Sequence, residues 1–452
     1  MNLNARSASR WILAAAIAGL VLRAAFGLIY WVGKPLTHDE REYLALAKSL
    51  TSGRGMVYET PAGGGSGQQF SRAPGYPMFL AAIGAGGREY DHAPARVKIA
   101  QSIVGAGTVW LIGMMALGAA GPRAGVIASA IAAAYPPLVW ISAYVFSESL
   151  YSAAALLSAF VLQRSMTDEG LASRSVAPAS PGARSAHTGS MEGTSNPARR
   201  DAPPPGNHEA TRWNRTLAAL AAGAGTGVAI LVRPTMLLFV PMVVLWLTGR
   251  RRLGLAAAFL AGTAVLVAPW TVRNVRVHDR FVLVSAGGGV NFWIGNHPDA
   301  IGEGDLAANP HLKEAELEFR RAHPGLSPEE LEPLYYRDAL ASIAAAPGRW
   351  LLLLGRKLFY TVTPIGPSYT LHSTRYQAAS VVSYLLVAPL ALMGLPRLLR
   401  AGRRRPTAVL LLGGSAVLTG LVFFPQERYR IPVMDPVLIL AAASRAAREA
   451  SA

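Results

Sequence analysis

The chain has 452 residues, 52% of them hydrophobic and only 15% charged, with a formal net charge of +17 and no cysteine. A soluble protein of this length carries about 25% charged residues, so a soluble globular domain is excluded, as are disulfides, thiolate metal sites and cysteine nucleophiles. The basic excess does not point to nucleic acid, because the arginines sit in short segments between apolar runs, as the positive-inside rule describes.

Apolar runs long enough to cross a bilayer, which takes roughly 20 residues, recur along the chain. The first covers about 11–32 and carries Arg23. It is too long for a signal-peptide core and no small-residue cleavage site follows it, so it is read as a span. A polar segment, 33–96, comes next. It opens with Thr37-His38-Asp39-Glu40-Arg41-Glu42-Tyr43, which places three carboxylates at the membrane–water boundary. Residues 38–52 are expected to form a short helix with Thr37 as N-cap and acids in its first turn. On it Asp39 and Tyr43, four apart, share a face. The glycine-rich patch 63–67 and the turn Arg72-Ala73-Pro74-Gly75 lead to a second short helix over 76–86, with Pro74 and Pro77 at its start.

Further spans are expected over 98–119, 124–143, 148–164, 216–232, 234–248, 253–270, 377–396, 406–424 and 431–446. This makes ten in all, with no internal repeat. Residues 165–215, rich in Ala, Pro, Ser, Gly and Arg, read as a disordered cytoplasmic loop. The second long polar region, 271–375, is expected to be a small extracytoplasmic lobe. It has a possible strand over 281–285, turns at 287–289 and 295–298, and helices over 311–345. Residues 349–366 carry Arg356 and Lys357 at their centre, too costly for mid-bilayer, and read as an interfacial helix. The fold class is thus an all-α polytopic membrane protein with a small α(+β) lobe. It divides into an N-terminal module (1–164, with the outer loop 33–96), the loop 165–215, helices over 216–270, the lobe 271–375 and C-terminal helices over 376–452. With both termini cytoplasmic, the arginine runs 250–252 and 397–405 fall inside, and both polar regions and Glu148 fall outside.

The order of these motifs is similar to that of the integral-membrane GT-C glycosyltransferases of the family 39 type, which include protein mannosyltransferases and aminoarabinose transferases. The likeness rests on the acidic pair Asp39-Glu40 after the first span and on the Arg72-Ala73-Pro74-Gly75 turn. It extends to Pro269-Trp270-Thr271-Val272-Arg273-Asn274, to 288–296, and to Glu427-Arg428-Tyr429-Arg430-Ile431-Pro432. It implies an inverting transfer of one sugar from a polyprenyl-phosphate donor on the extracytoplasmic face, to a protein, lipid or glycan acceptor. It puts Asp39 in the place of the catalytic base, with Glu40 as its usual neighbour. The alternative for this pair is a helix N-terminus balancing its dipole.

Arg72, where the aminoarabinose branch has a lysine, is expected to neutralise the leaving phosphate, or else to meet lipid headgroups. Arg273, Arg428 and Arg430 are further phosphate-binding candidates with the same alternative. Tyr43, Glu148, Asn291, Asn296 and Tyr429 are candidates for substrate contact. Glu148 could equally cap a helix, and the asparagines could serve turns. No metal-ligand spacing is evident, so no cofactor is required; the resemblance implies that the acidic position at Glu148 helps bind a divalent metal in some members of the family. The Ala/Arg-rich composition suggests a bacterial inner membrane. Two other readings stand beside the enzyme: a transporter or flippase for a lipid-linked sugar, whose polar groups would gather at mid-membrane, and a non-catalytic cell-envelope assembly subunit.

Overall fold

The computed structural model describes residues 3–58, 68–69, 72–167, 206–367, 373–402 and 405–449. The helices, in chain order, are α1 (Ala5–Ala25), α2 (His38–Thr51), α3 (Gly75–Ala82), α4 (Ala95–Ala120), α5 (Pro122–Ala134), α6 (Pro136–Trp140), α7 (Glu148–Thr167), α8 (Gly206–Val232) and α9 (Phe239–Gly249). They continue with α10 (Leu253–His278), α11 (Gly288–Asn296), α12 (Pro310–Arg321), α13 (Pro328–Ala345), α14 (Pro347–Val362), α15 (Thr374–Leu399), α16 (Thr407–Val422), α17 (Glu427–Arg430) and α18 (Met434–Glu449). A π-helical turn, Phe26–Tyr30, prolongs α1.

Five of these helices are long and apolar enough to cross a membrane: α1 with its π turn, α4, the Trp213–Val232 part of α8, α10 and α15. A sixth crossing arises if α5 and the residues 136–143, bent by 61° at Tyr135, count as one span. The bend has a local cause, since Pro136 and Pro137 remove amide donors and force the preceding residue out of helix. Of the other expected spans, 148–164 is the 20-residue helix α7, which is not among these five, and the rest are helical but shorter. Pro234–Gly249 and Thr407–Val422 are apolar helices of under 18 residues, and the last expected span, 431–446, follows the separate turn α17 and is helical from Met434, in α18.

Close packing in the bundle relies on small residues, as is common where lipid supplies no hydrophobic drive. A Cβ on Gly223 of α8 would lie 2.0 Å from the Phe259 carbonyl oxygen of α10. One on Gly262 of α10 would lie 2.1 Å from the Leu220 carbonyl oxygen of α8. Arg23, within the first span, is buried rather than snorkelling. Its Nη1 donates to the Gly19 and Ala133 carbonyls, and its Nη2 to that of Ala132.

The region after α10 differs in detail from expectation. Residues 281–285 form no strand. Their backbone is strapped to α10 by Trp270 Nε1, donating to the Val284 carbonyl, and by Asn274 Nδ2, donating to those of Val282 and Val284. Of the turns expected at 287–289 and 295–298, residues 288–289 and 295–296 belong instead to the helix α11. Strand pairing among the described residues is limited to two-residue segments, Val57–Tyr58 with Gln68–Gln69, and an isolated antiparallel bridge between Pro35 and His92, all in the polar segment 33–96. Of the expected loop 165–215, residues up to 167 and from 206 are helical, and 168–205 lie outside the described residues, as does the patch 63–67.

A second hydrophobic core joins Trp293 and Ile294 of α11, Leu312 of α12, and Leu331, Tyr335 and Ala339 of α13. Phe424, from the loop after α16, completes it. That loop passes so close to α11 that a Cβ on Gly295 would meet the Phe423 carbonyl at 1.8 Å. Farther along the same loop, at the start of α17, Arg428 reaches Asp39 of α2. The lobe and the acidic loop therefore lie at one end of the bundle. Because the chain has no native cysteine, sidedness can be read from single introduced ones. Arg54→Cys and Lys313→Cys should be labelled by an impermeant maleimide from the same side of the membrane, and Arg250→Cys only from the other. Labelling of Arg54→Cys and Lys313→Cys from opposite sides would contradict this arrangement.

Candidate active site

The site is organised on the first turn of α2. Thr37 caps the helix, and Glu40 returns the favour: its Oε2 accepts from the Thr37 amide at 2.8 Å and hydroxyl at 2.9 Å. Its other oxygen, Oε1, accepts the Val145 amide at 2.8 Å. Glu40 is 3% exposed. Its carboxylate is thus occupied in capping α2 and in fixing the loop before α7. A place among the reacting groups does not suit that geometry.

With α2 so fixed, Asp39, Glu42 and Tyr43 project from adjoining positions of the helix toward one guanidinium. Arg72 Nη2 donates to Asp39 Oδ1 at 2.8 Å and also to Glu42 Oε2. Its Nη1 donates to the Tyr43 hydroxyl at 3.3 Å, and the guanidinium lies 4.8 Å from the centre of the Tyr43 ring. Asp39 Oδ2 accepts from Arg428 Nη1 at 2.6 Å, across 389 positions of sequence. Burial alone would push the Asp39 carboxyl up. The Arg428 and Arg72 charges outweigh it and hold the group well below the usual carboxylate range. His38, at the rim, contacts Glu42 Oε1 through Nε2 at 3.2 Å.

Arg428 is held from behind. Its Nε donates to Gln426 Oε1 at 3.1 Å, and it lies over the rings of Phe146 and Tyr429 at 5.6 and 5.4 Å. Tyr429 is shared with a third arginine, Arg233, 4.7 Å from the same ring. Arg233 Nη1 pairs with Glu148 Oε1 at 2.5 Å. Glu148 is 2% exposed, so it meets Arg233 directly and faces the open site only through it. The site thus brings together Asp39, Tyr43, Arg72, Arg428 and Tyr429, with Glu148 behind them, from α2, the turn before α3, α7 and α17.

Two members were not singled out from the sequence as site residues. Glu42 lies three residues after Asp39 on the same helix, and that spacing was the available signal. Arg233 stands between two apolar segments at a helix break, where a charge requires a partner.

The remaining candidates lie elsewhere. Arg430 is buried, its Nε paired with Asp435 Oδ1 at 2.9 Å and its Nη1 donating to the Thr363 carbonyl. It braces α17 against α18 rather than facing an incoming anion. Arg273 packs over the Trp270 ring at 4.8 Å and donates to Asn274, which puts it with the strap on α10. Asn291 is exposed on α11.

Asn296, 1% exposed, is a structural hub instead of a pocket wall. Its Oδ1 accepts from Trp350 Nε1 and Lys357 Nζ, both at 3.0 Å, and its Nδ2 donates to the Phe292 and Val422 carbonyls. The expected interfacial helix, α14, is therefore anchored inward by Lys357, whose ammonium burial pushes down to about 7. Among the described residues no three His, Asp or Glu side chains converge as metal ligands.

No protein-family model and no curated protein matches the chain. Solved structures do. The oligosaccharyltransferase of Archaeoglobus fulgidus, tethered to an acceptor peptide, superposes with a TM-score of 0.55 at 11% identity, over 96% of this chain and 49% of that one. The same organism's oligosaccharyltransferase AglB, in complex with an inhibitory peptide and a dolichol-phosphate, gives 0.52 at 13% identity, over 96% and 50%. ArnT from Cupriavidus metallidurans, bound to undecaprenyl phosphate, matches at 14% identity with a TM-score of 0.37 over 98% and 78%, too loose a superposition to carry an argument. The chain is an integral membrane protein with the GT-C fold, the fold implied by its sequence motifs. It spans about half the length of the oligosaccharyltransferases it matches.

Asn296→Ala should lower thermal stability by roughly 1–3 kcal/mol, the cost of leaving buried partners unsatisfied. Melting measurements on the purified variant check this. Lys357 has a folded pKa below its unfolded value, so the unfolded chain binds more protons between the two. Its contribution to stability should rise as pH goes from about 7 toward the ordinary lysine value near 10.5. Lys357→Met should flatten that part of the stability–pH profile.

Proposed function

We propose that the protein is a membrane glycosyltransferase. It transfers a monosaccharide from a polyprenyl-phosphate donor to a hydroxyl-bearing acceptor, with inversion, on the extracytoplasmic face of a bacterial inner membrane. One observation carries this reading. Two guanidinium groups bracket one carboxylate at the end of an apolar bundle, where a lipid-borne phosphate would arrive. The fold supports it, since an oligosaccharyltransferase with that fold has been captured with a dolichol-phosphate and a peptide.

In this reading Arg72 and Arg428 receive the phosphate. Arginine suits the task because its planar fork matches phosphate oxygens, and charge that grows on the leaving group is stabilised more in the transition state than in the ground state. Asp39 takes the proton of the acceptor hydroxyl as that oxygen attacks the anomeric carbon from the face opposite the phosphate. Tyr43 and Glu42 hold Arg72 in place, and Arg233, with Glu148, supports Tyr429 and Arg428 from behind. Clustering of these charged groups at one end of the bundle favours an enzyme over a transporter, whose polar groups sit near the midplane.

Purified protein should transfer a labelled sugar from a synthetic prenyl-phosphate donor. Failure with a panel of donors would remove the proposal. Asp39→Asn should cut turnover by roughly 10²–10⁴-fold, the usual contribution of a positioned base. Arg72→Ala should weaken donor affinity and turnover together, because it removes a countercharge present in both ground and transition states. Near wild-type turnover in Asp39→Asn would show that the carboxylate only balances the helix and its arginines.

A further inference from the structure

We infer that the donor phosphate and the Asp39 carboxylate exchange places on one pair of guanidinium groups, so that donor binding itself releases the base. This rests on the glycosyltransferase reading above. As the structure stands, Asp39 is unsuited to take a proton, since each of its oxygens is engaged by a cation at 2.8 or 2.6 Å. Its depressed pKa expresses the same fact. A base so far below the operating pH contributes little.

Of the four arginines in and behind this cluster, the two most accessible to a phosphate are the ones holding Asp39. The Arg72 and Arg428 side chains are 29% and 35% exposed. Arg233 is 15% exposed and committed to Glu148, and Arg430 is 3% exposed and committed to Asp435. A phosphate entering this cluster therefore meets the Asp39 clamp before the pairs behind it.

The surroundings of the two arginines fit an exchange. Neither depends on Asp39 for its position. Arg72 keeps Glu42, the Tyr43 hydroxyl and the Tyr43 ring. Arg428 keeps Gln426 and the rings of Phe146 and Tyr429. When the carboxylate lets go, both cations remain in place to face an anion. Asp39, relieved of two positive neighbours but still largely buried, then regains proton affinity, since burial by itself raises its pKa.

The charges of the reaction follow the same route. At the start the donor phosphodiester and Asp39 each carry one negative charge. The anomeric C–O bond to phosphate breaks, and its electron pair stays on the phosphate. The acceptor oxygen bonds to the anomeric carbon, and its proton moves to Asp39. The products are a phosphate monoester dianion and a neutral Asp39 carboxyl, so the total of two negative charges is unchanged. Negative charge has moved from Asp39 to the phosphate, and the arginines between them can serve each in turn. Loss of the Asp39 proton to water restores the carboxylate, which competes for the arginines and helps the prenyl phosphate leave.

The test measures binding in detergent of farnesyl phosphate, and of uncharged farnesol, to the full-length wild type, Asp39→Asn and Asp39→Ala, with folding checked by thermal melting. Removing the competing carboxylate should tighten farnesyl phosphate binding on the order of tenfold in both variants, as expected for one charge-assisted contact no longer given up on binding. Farnesol affinity should stay the same. If farnesyl phosphate binds both variants no more tightly than the wild type, the exchange is overturned and the glycosyltransferase reading stands. If none of the three proteins binds farnesyl phosphate, both fall.

Discussion

Asp39 between Arg72 and Arg428 is the interaction on which the rest of the arrangement depends. It joins the helix that follows the first span to the turn that precedes the last helix. Between them the chain makes every other apolar helix of the bundle. A carboxylate flanked by two cations in a partly dry site is strongly held. Its neighbours are arranged to keep that cluster in register: the Thr37–Glu40 capping box fixes α2, and the Glu40 contact to the Val145 amide fixes the loop before α7. Glu148 then holds Arg233, and Arg233 shares Tyr429 with Arg428. Positive and negative side chains at this end of the bundle nearly balance, which is what allows so many of them to sit where water is scarce.

Much of this was legible in the sequence. Apolar runs gave the bundle, because segments of that length have few other stable states. The start of α2 was readable to the residue, since Thr37 with Glu40 three positions later is a local device that needs no tertiary information. Asp39, Tyr43, Arg72 and Arg428 were each named as candidates. Their convergence on one another was not visible, because a contact across 389 residues leaves no periodic trace.

The misplaced residues share a physical reason. Arg430 and Asn296 are polar groups beside apolar segments, and sequence alone does not distinguish a side chain facing a substrate from one satisfying a buried neighbour. Arg430 found Asp435 five residues on, and Asn296 found Lys357 and Trp350 on α14. The glycines at 287–295 suggested turns by propensity. Tertiary packing overrode this, since α11 needs glycine at 295 to let the Phe423 carbonyl approach. Two expected spans differ from their helices only at the ends: 406–424 is helical over Thr407–Val422, and 431–446 is helical from Met434 onward.

The loop from Phe423 to Arg430 has a bearing on how such proteins can be recombined. Phe424 is built into the core of α11, α12 and α13, and Arg428, four residues on, is half of the grip on Asp39. A chimaera that grafts a foreign lobe over 271–375 and retains the native 423–430 would leave an aromatic plug facing the wrong socket, and the resulting shift of the loop would be delivered to the arginine. The natural unit of exchange is therefore discontinuous: the lobe together with the eight residues that key it to the bundle.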